Sequence, residues 1–194
     1  MTAIYLIRHA ETTLNASRVV QFPDTPLNRR GRWQADRLAA RLHGDGVTHV
    51  VSSDYVRARA TAERISAVTK ATLSLDAQLR ERDLGDLRGR PYAEVREQVW
   101  GEGFDPPRGE TWETFTRRVD AIWRRVAQLE QKIEGALALV THGLVCRALA
   151  SRHLTLGEHA RPLQFPNASV TVITAAPPWR VEVLASDTHL HARD

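Results

Sequence analysis

The chain has 194 residues, with 27 Lys+Arg against 23 Asp+Glu and a formal net charge of +4. That length suits one domain burying roughly 70% of the surface its unfolded chain exposes, so neither a metal nor a disulfide is needed to hold it together. The single cysteine, Cys146, excludes an internal disulfide, and the opening apolar run meets Arg8 too soon for a signal peptide or a membrane span.

In chain order, the apolar run AIYLI, Ala3 to Ile7, predicts a buried strand. A polar loop with Pro23 and Pro26 follows, then a helix from about Arg29 to His43 with Trp33, Leu38 and Leu42 near one face, stopped by Gly44-Asp45-Gly46. His49 to Ser52 predicts the next strand, and Ser53 or Asp54 can cap a helix running to about Lys70. Thr72 to Leu75 reads as another strand. From Asp76 to about Glu110 glycines and prolines punctuate the chain, with one helix from Tyr92 to Trp100. Excursions of that length in compact domains are often functional, and this one is expected to cover the site. Trp112, Phe115, Val119, Ile122, Val126, Leu129 and Ile133 recur at helical spacing as one apolar stripe. Ala136 to Val140 is a strand ending in Thr141-His142-Gly143, with a helix from Leu144 to His153. Ser169 to Ala175 and Arg180 to Leu184 are the last strands. The alternation predicts an α/β fold in one domain: a three-layer sandwich with a mostly parallel central sheet flanked by helices.

Open α/β sheets build their sites where strands end and loops begin. Two strand ends here deliver a histidine each, His9 after Arg8 and His142 after Thr141. Arg152-His153, inside a helix, is the same dipeptide in a structural setting. All but two of the basic residues, Lys70 and Lys132, are arginine. They alternate with acids, as in Asp36-Arg37 and Glu63-Arg64, which reads as solvated helix face rather than a nucleic-acid stripe. Cys146, in an apolar helical stretch, is expected to be a buried inert thiol. Asp187, His189 and His191 near the C-terminus could be grouped as metal ligands, but a frayed tail is the simpler reading. No zinc or dinucleotide motif appears.

These segments resemble the histidine phosphatase superfamily, the phosphoglycerate-mutase-like fold, along essentially the whole chain. The resemblance rests on LIRHAETTLN (Leu6 to Asn15), Asp24-Thr25-Pro26-Leu27, Gly31 with Gln34-Ala35, and SSDYVRARATAE (Ser52 to Glu63). It continues through Leu79-Arg80-Glu81 with Gly85 and Gly89, Pro107 to Thr111, Val140 to Gly143, and Asn167-Ala168-Ser169. It departs at Ala10, at Gln21, where a glycine was expected, and at Leu87 and Arg88, which stand for the usual aromatic and acidic pair.

The resemblance implies that His9 is a nucleophile forming phosphohistidine, that Glu81 is the acid, and that Arg8, Arg57 and His142 surround phosphate. Asp83, Asp86 and Glu110 are nearby acids that could compete for the role of Glu81. Asn15, Gln21 and the helix start at Gly143 and Leu144 are expected to add donors to the phosphate site. Phosphoryl transfer without a metal needs positive charge around the equatorial oxygens, and arginine supplies it in bidentate form. A neutral His9 would need a backbone carbonyl on its other ring nitrogen. Glu11 is expected to orient the loop.

The expected activity is metal-independent hydrolysis of a small phosphorylated metabolite, with no cofactor, no nucleic acid and no membrane partner, by a cytoplasmic monomer or homodimer. The compact length and Gly109-Glu110-Thr111 favour a phosphatase. The alternatives are a cofactor-dependent phosphoglycerate-mutase-type phosphotransferase and a non-catalytic phosphate-binding regulator. Arg88, Arg90 and Arg108 suggest a second anionic group on the substrate, and Trp100, Phe104 and Trp112 an apolar pocket wall.

Overall fold

The computed structural model describes residues 3–100, 103–159 and 164–191, the Arg96 and Trp100 side chains apart. Its centre is a sheet of six strands: β1 (Ala3–Arg8), β2 (Val47–Ser52), β3 (Thr72–Leu75), β4 (Ala136–Thr141), β5 (Val170–Thr174) and β6 (Val181–Ser186), in the order β3-β2-β4-β1-β5-β6. The first four run parallel, and β5 is antiparallel to both β1 and β6.

Among the described residues, six α-helices accompany the sheet: α1 (Thr13–Ala16), α2 (Arg29–Arg41), α3 (Val56–Thr69), α4 (Tyr92–Trp100), α5 (Trp112–Glu130) and α6 (Gly143–Arg152). The pleat divides the core in two. Ile4, Leu6, Leu137 and Leu139 pack with α5 and α6, while Tyr5, Ile7, Ala138 and Val140 pack with α2 and α3. β4 is buried along its whole length, which is why it reads as an unbroken apolar run.

The elements expected from the sequence are present, with shifted ends. α1 falls in the segment expected to be a polar loop; Thr12 caps it through the Asn15 amide, with Asn15 bonding back in a capping box. Trp33 is 44% exposed, because it lies five residues, some 140° of helix, from Leu38 and so off the buried face. Trp123, beside the apolar stripe of α5, is 1% exposed and edge-on to Trp179. Neither Ser53 nor Asp54 caps α3, whose N-cap is Tyr55 with no side-chain bond. Cys146 is fully buried, and burial pushes its thiol up.

Candidate active site

Parallel pairing of β1 with β4 sets Ile7 against Val140 and Arg8 against Thr141, so the two strands end side by side. The His9 amide donates to the Thr141 carbonyl (2.9 Å), and the Ser53 amide, past the end of β2, donates to the Val140 carbonyl (2.9 Å). Three strand ends thus open onto one cavity of about 220 Å³, which Arg8, His9, Arg57, Glu81 and Gly143 all line.

His9 is buried, and its Nδ1–H donates to the Ala10 carbonyl (2.7 Å). That bond fixes the tautomer, so Nε2 carries the lone pair. Arg57 Nε–H donates to this nitrogen (3.2 Å). Burial holds His9 well below the usual imidazole value of 6.5, and the Arg57 and Arg8 charges push the same way. The Asn167 side-chain amide donates to the His9 carbonyl (3.0 Å) and to Asn15 Oδ1 (3.1 Å), tying the loop before β5 to the site.

Arg57 sits in the first turn of α3, its Nη1 on the Phe22 carbonyl (2.9 Å) and its guanidinium over the Tyr55 ring. Burial lowers it to about 10, which leaves it cationic at neutral pH. Arg8 bonds the Phe165 carbonyl through Nη1, while its buried Nε has no partner among the described residues. Burial lowers Arg8 too.

Glu81 accepts from the Arg82 amide at Oε1 (3.0 Å) and from the Leu144 amide at Oε2 (3.1 Å). Burial raises its carboxyl above the usual range; these two bonds and the two guanidiniums pull the other way without overcoming it. The Leu144 amide, expected to face phosphate, is therefore engaged by Glu81. Gly143 borders both charges: a Cβ there would lie 3.6 Å from Arg8 Nε and 3.9 Å from Glu81 Oε2.

His142 stands behind His9, with ring centroids 5.2 Å apart, and does not line the cavity. Its Nε2 meets Ser53 Oγ (2.8 Å) and its Nδ1 is buried without a partner among the described residues. The resemblance implied a place for it around phosphate. Burial and the neighbouring Arg57 hold it well below 6.5, hence neutral. It can still offer a neutral N–H.

Asn15 and Gln21 both line the cavity, and Gln21 Oε1 accepts from Thr12 Oγ1 (2.7 Å). Glu11 faces Asn28 and Arg30, away from the cavity. Of the three mouth arginines suggested by the sequence, only Arg88 reaches the lining; Arg90 pairs with Glu94 and Arg108 with Asp86. The apolar wall is Val20, Leu84, Val99 and Leu144 with Tyr92, whereas Trp112 packs on Phe115 and under Arg82. The Trp100 side chain lies outside the described residues.

Sequence reasoning missed Arg18, Arg82 and Ser53. Ser53 was accessible in principle, since parallel register puts the residue after β2 beside the end of β4. Arg18 and Arg82 carried no periodic signal. Among the described residues no group of three or more His, Cys, Asp or Glu side chains could hold a metal, and His191 pairs with Asp187. No helix among them is long and apolar enough to cross a membrane.

The chain is 34% identical over 209 residues to the protein named "Probable phosphoglycerate mutase GpmB" of Citrobacter koseri, covering 99% of this chain and 96% of that one. The structure of a mycobacterial glucosyl-3-phosphoglycerate phosphatase superposes with a TM-score of 0.78 at 27% identity, over 94% of this chain and 98% of the other. Phosphoglycerate mutase from Bacillus anthracis shares the fold, with a TM-score of 0.82 at 24% identity, over 98% of this chain and 95% of that one. The family model of the histidine phosphatase superfamily, branch 1, matches residues 4–187, and the chain belongs to that superfamily.

Proposed function

We propose that the chain is a phosphomonoesterase working through a phosphohistidine on His9. The observation that carries this reading is the tautomer of His9: Nδ1–H is spent on the Ala10 carbonyl, which leaves the Nε2 lone pair beside Arg57 on the cavity wall. His9 Nε2 attacks phosphorus in line with the ester oxygen as Arg57 Nε–H turns from the ring to a phosphate oxygen. The P–O bond breaks with its electron pair on the leaving oxygen, which takes a proton from Glu81. Water then attacks the phosphohistidine and gives Glu81 a proton; the P–N bond breaks and its pair returns to Nε2. Arg8 and Arg57 neutralise the equatorial oxygens, with Asn15 and Gln21 as neutral donors, while His142 packs behind the ring of His9. The described part of residues 76–110 roofs the cavity through Glu81, Leu84, Arg88, Tyr92 and Val99. In this reading the two arginines carry the charge that a metal would otherwise supply.

The cavity also bears on substrate. Among its five arginines, Arg82 and Arg88 face Asp105 and Asp83, while Arg8, Arg18 and Arg57 have no carboxylate in ion-pair range among the described residues. Arg8 and Arg57 serve phosphate. Arg18, held at φ 56 in a conformation costly for a side-chain-bearing residue, is left for a second anionic group.

Hydrolysis of an aryl phosphate in excess EDTA tests the reading. Wild type retains its rate, and His9→Ala loses at least about a thousandfold, as expected for removal of a nucleophile. Activity that survives His9→Ala would assign the nucleophile elsewhere. The relatives named as mutases favour a second reading, transfer of phosphate between positions of a phosphoglycerate. Rapid isomerisation of a phosphoglycerate with little release of inorganic phosphate would favour it.

A further inference from the structure

We propose that Glu110 and Arg118 are positioning residues that hold Glu81 at the angle its proton transfer requires. This rests on the assignment of Glu81 as the acid. Glu81 lies on a stretch without regular structure, between the single turn at Ala77–Leu79 and the next at Gly85–Leu87. Something outside the stretch must therefore fix it.

Arg118, two turns into α5, forms a two-point pair with Glu110: Nε to Oε1 at 2.8 Å and Nη2 to Oε2 at 2.7 Å. Its remaining nitrogen, Nη1, donates to the Gln78 carbonyl (2.5 Å) and the Arg80 carbonyl (2.9 Å), on the N-terminal side of Glu81. Glu110 grips the C-terminal side. Its amide donates to the Asp83 carbonyl (2.8 Å), its Oε2 accepts from the Asp83 amide (3.4 Å), and its carbonyl accepts from Arg82 Nε (3.1 Å). The backbone is thus held at Arg80 on one side of Glu81 and at Asp83 on the other, and the pair joins the two grips.

Both side chains are largely buried, 14% and 12% exposed. A buried pair is costly to desolvate and is weak evidence of stabilisation in itself. Here every guanidinium nitrogen is used, two on the carboxylate and one on backbone that flanks the acid, which is the arrangement of a geometric clamp. Neither side chain lines the cavity. Both would act through Glu81 alone.

A positioning role predicts a loss that depends on the leaving group. Nitrophenolate leaves with little protonation, whereas an alkoxide needs the proton from Glu81. kcat/KM reports phosphoryl transfer to His9, so it separates the two substrates even where hydrolysis of the intermediate limits kcat. The variants are Arg118→Lys, which keeps the charge but cannot reach the carboxylate and both carbonyls, and the isosteric Glu110→Gln, with Glu81→Gln as reference. Thermal melts establish that each is folded. Expected for Glu110→Gln or Arg118→Lys is a fall in kcat/KM of about ten- to a hundredfold on glycerol 2-phosphate and under about threefold on p-nitrophenyl phosphate. Equal losses on the two substrates, or none, while Glu81→Gln shows the selective loss, would overturn the clamp and leave Glu81 as the acid. Equal losses in Glu81→Gln itself would overturn both.

Discussion

His9 and Glu81 are displaced in opposite directions by the same burial. For the imidazole, leaving water disfavours the cation, and two guanidiniums add to the effect. For the carboxyl, leaving water disfavours the anion, and the guanidiniums oppose without prevailing. Attack requires neutral His9 and protonated Glu81, so each shift widens the pH range in which both conditions hold. The limb of kcat/KM set by His9 lies well below pH 6.5, and the limb set by Glu81 begins above the usual carboxyl value of 4.5. With an alkyl phosphate, and after correction for the substrate's own ionisation near pH ~6, kcat/KM is expected to peak on the acid side of neutrality. Glu81→Gln should remove the basic limb and lower the peak by about a hundredfold or more. A wild-type profile that climbs steadily to alkaline pH would show that Glu81 does not act as the acid.

The loop carrying His9 is held at three successive amides by three different elements. His9 N–H donates to Thr141 at the end of β4, Ala10 N–H to Thr61 on α3, and Glu11 N–H to Gln34 on α2. Much of this could be read from the chain. The strand ends, His9 and His142 follow from hydrophobic runs that stop at polar residues, combined with the rule that such edges carry sites, whereas Arg57, inside α3, came only with the family resemblance. The binding partners of the loop could not, because periodicity locates an element without saying which of its polar side chains turns inward. Arg18 and Tyr92 show the same limit: both line the cavity and are joined by Tyr92 N–H on the Arg18 carbonyl (2.8 Å), a contact between the turn after α1 and the start of α4, far apart in sequence. Gly31, visible only as part of a resemblance, has a plain physical reason. A Cβ there would fall 1.9 Å from the Glu11 carbonyl oxygen, against backbone that cannot rotate away. Gly31→Ala is therefore expected to push α2 off the His9 loop and to cost about 1–3 kcal/mol, the usual range for overpacking. A melting temperature lowered by about 2–10 °C together with reduced turnover would report this. An unchanged melt would mean that α2 is not pressed against the loop.

At the scale of the molecule, the site lies at the ends of β1 and β4 in the buried centre of the sheet, so its protonation states are coupled to global stability. His9 and His142 are 1% and 0% exposed, and both are held well below the 6.5 they take when unfolded. Below about pH 6.5 the unfolded chain gains protons at these positions that the folded chain refuses. Each histidine then withdraws up to about 1.4 kcal/mol per pH unit, until its own folded value is reached. The half-buried His189, also lowered, acts in the same sense. Glu81 acts oppositely: its raised folded value means the native state takes up its proton first, which offsets part of the loss as pH falls. Surface carboxylates held low by arginine, Asp54 and Asp120, lose their contribution only below about 3.8. The interval from pH 6.5 to 5 therefore lies clear of these surface carboxylates, and in it the histidines act against the opposing effect of Glu81. Wild type should melt at progressively lower temperature across it. His142→Gln, whose amide can still meet Ser53 but takes no proton, should melt with a shallower dependence. Parallel curves for the two proteins would mean that His142 is protonated in the folded state near pH 6, and that the cavity is better solvated than its burial implies.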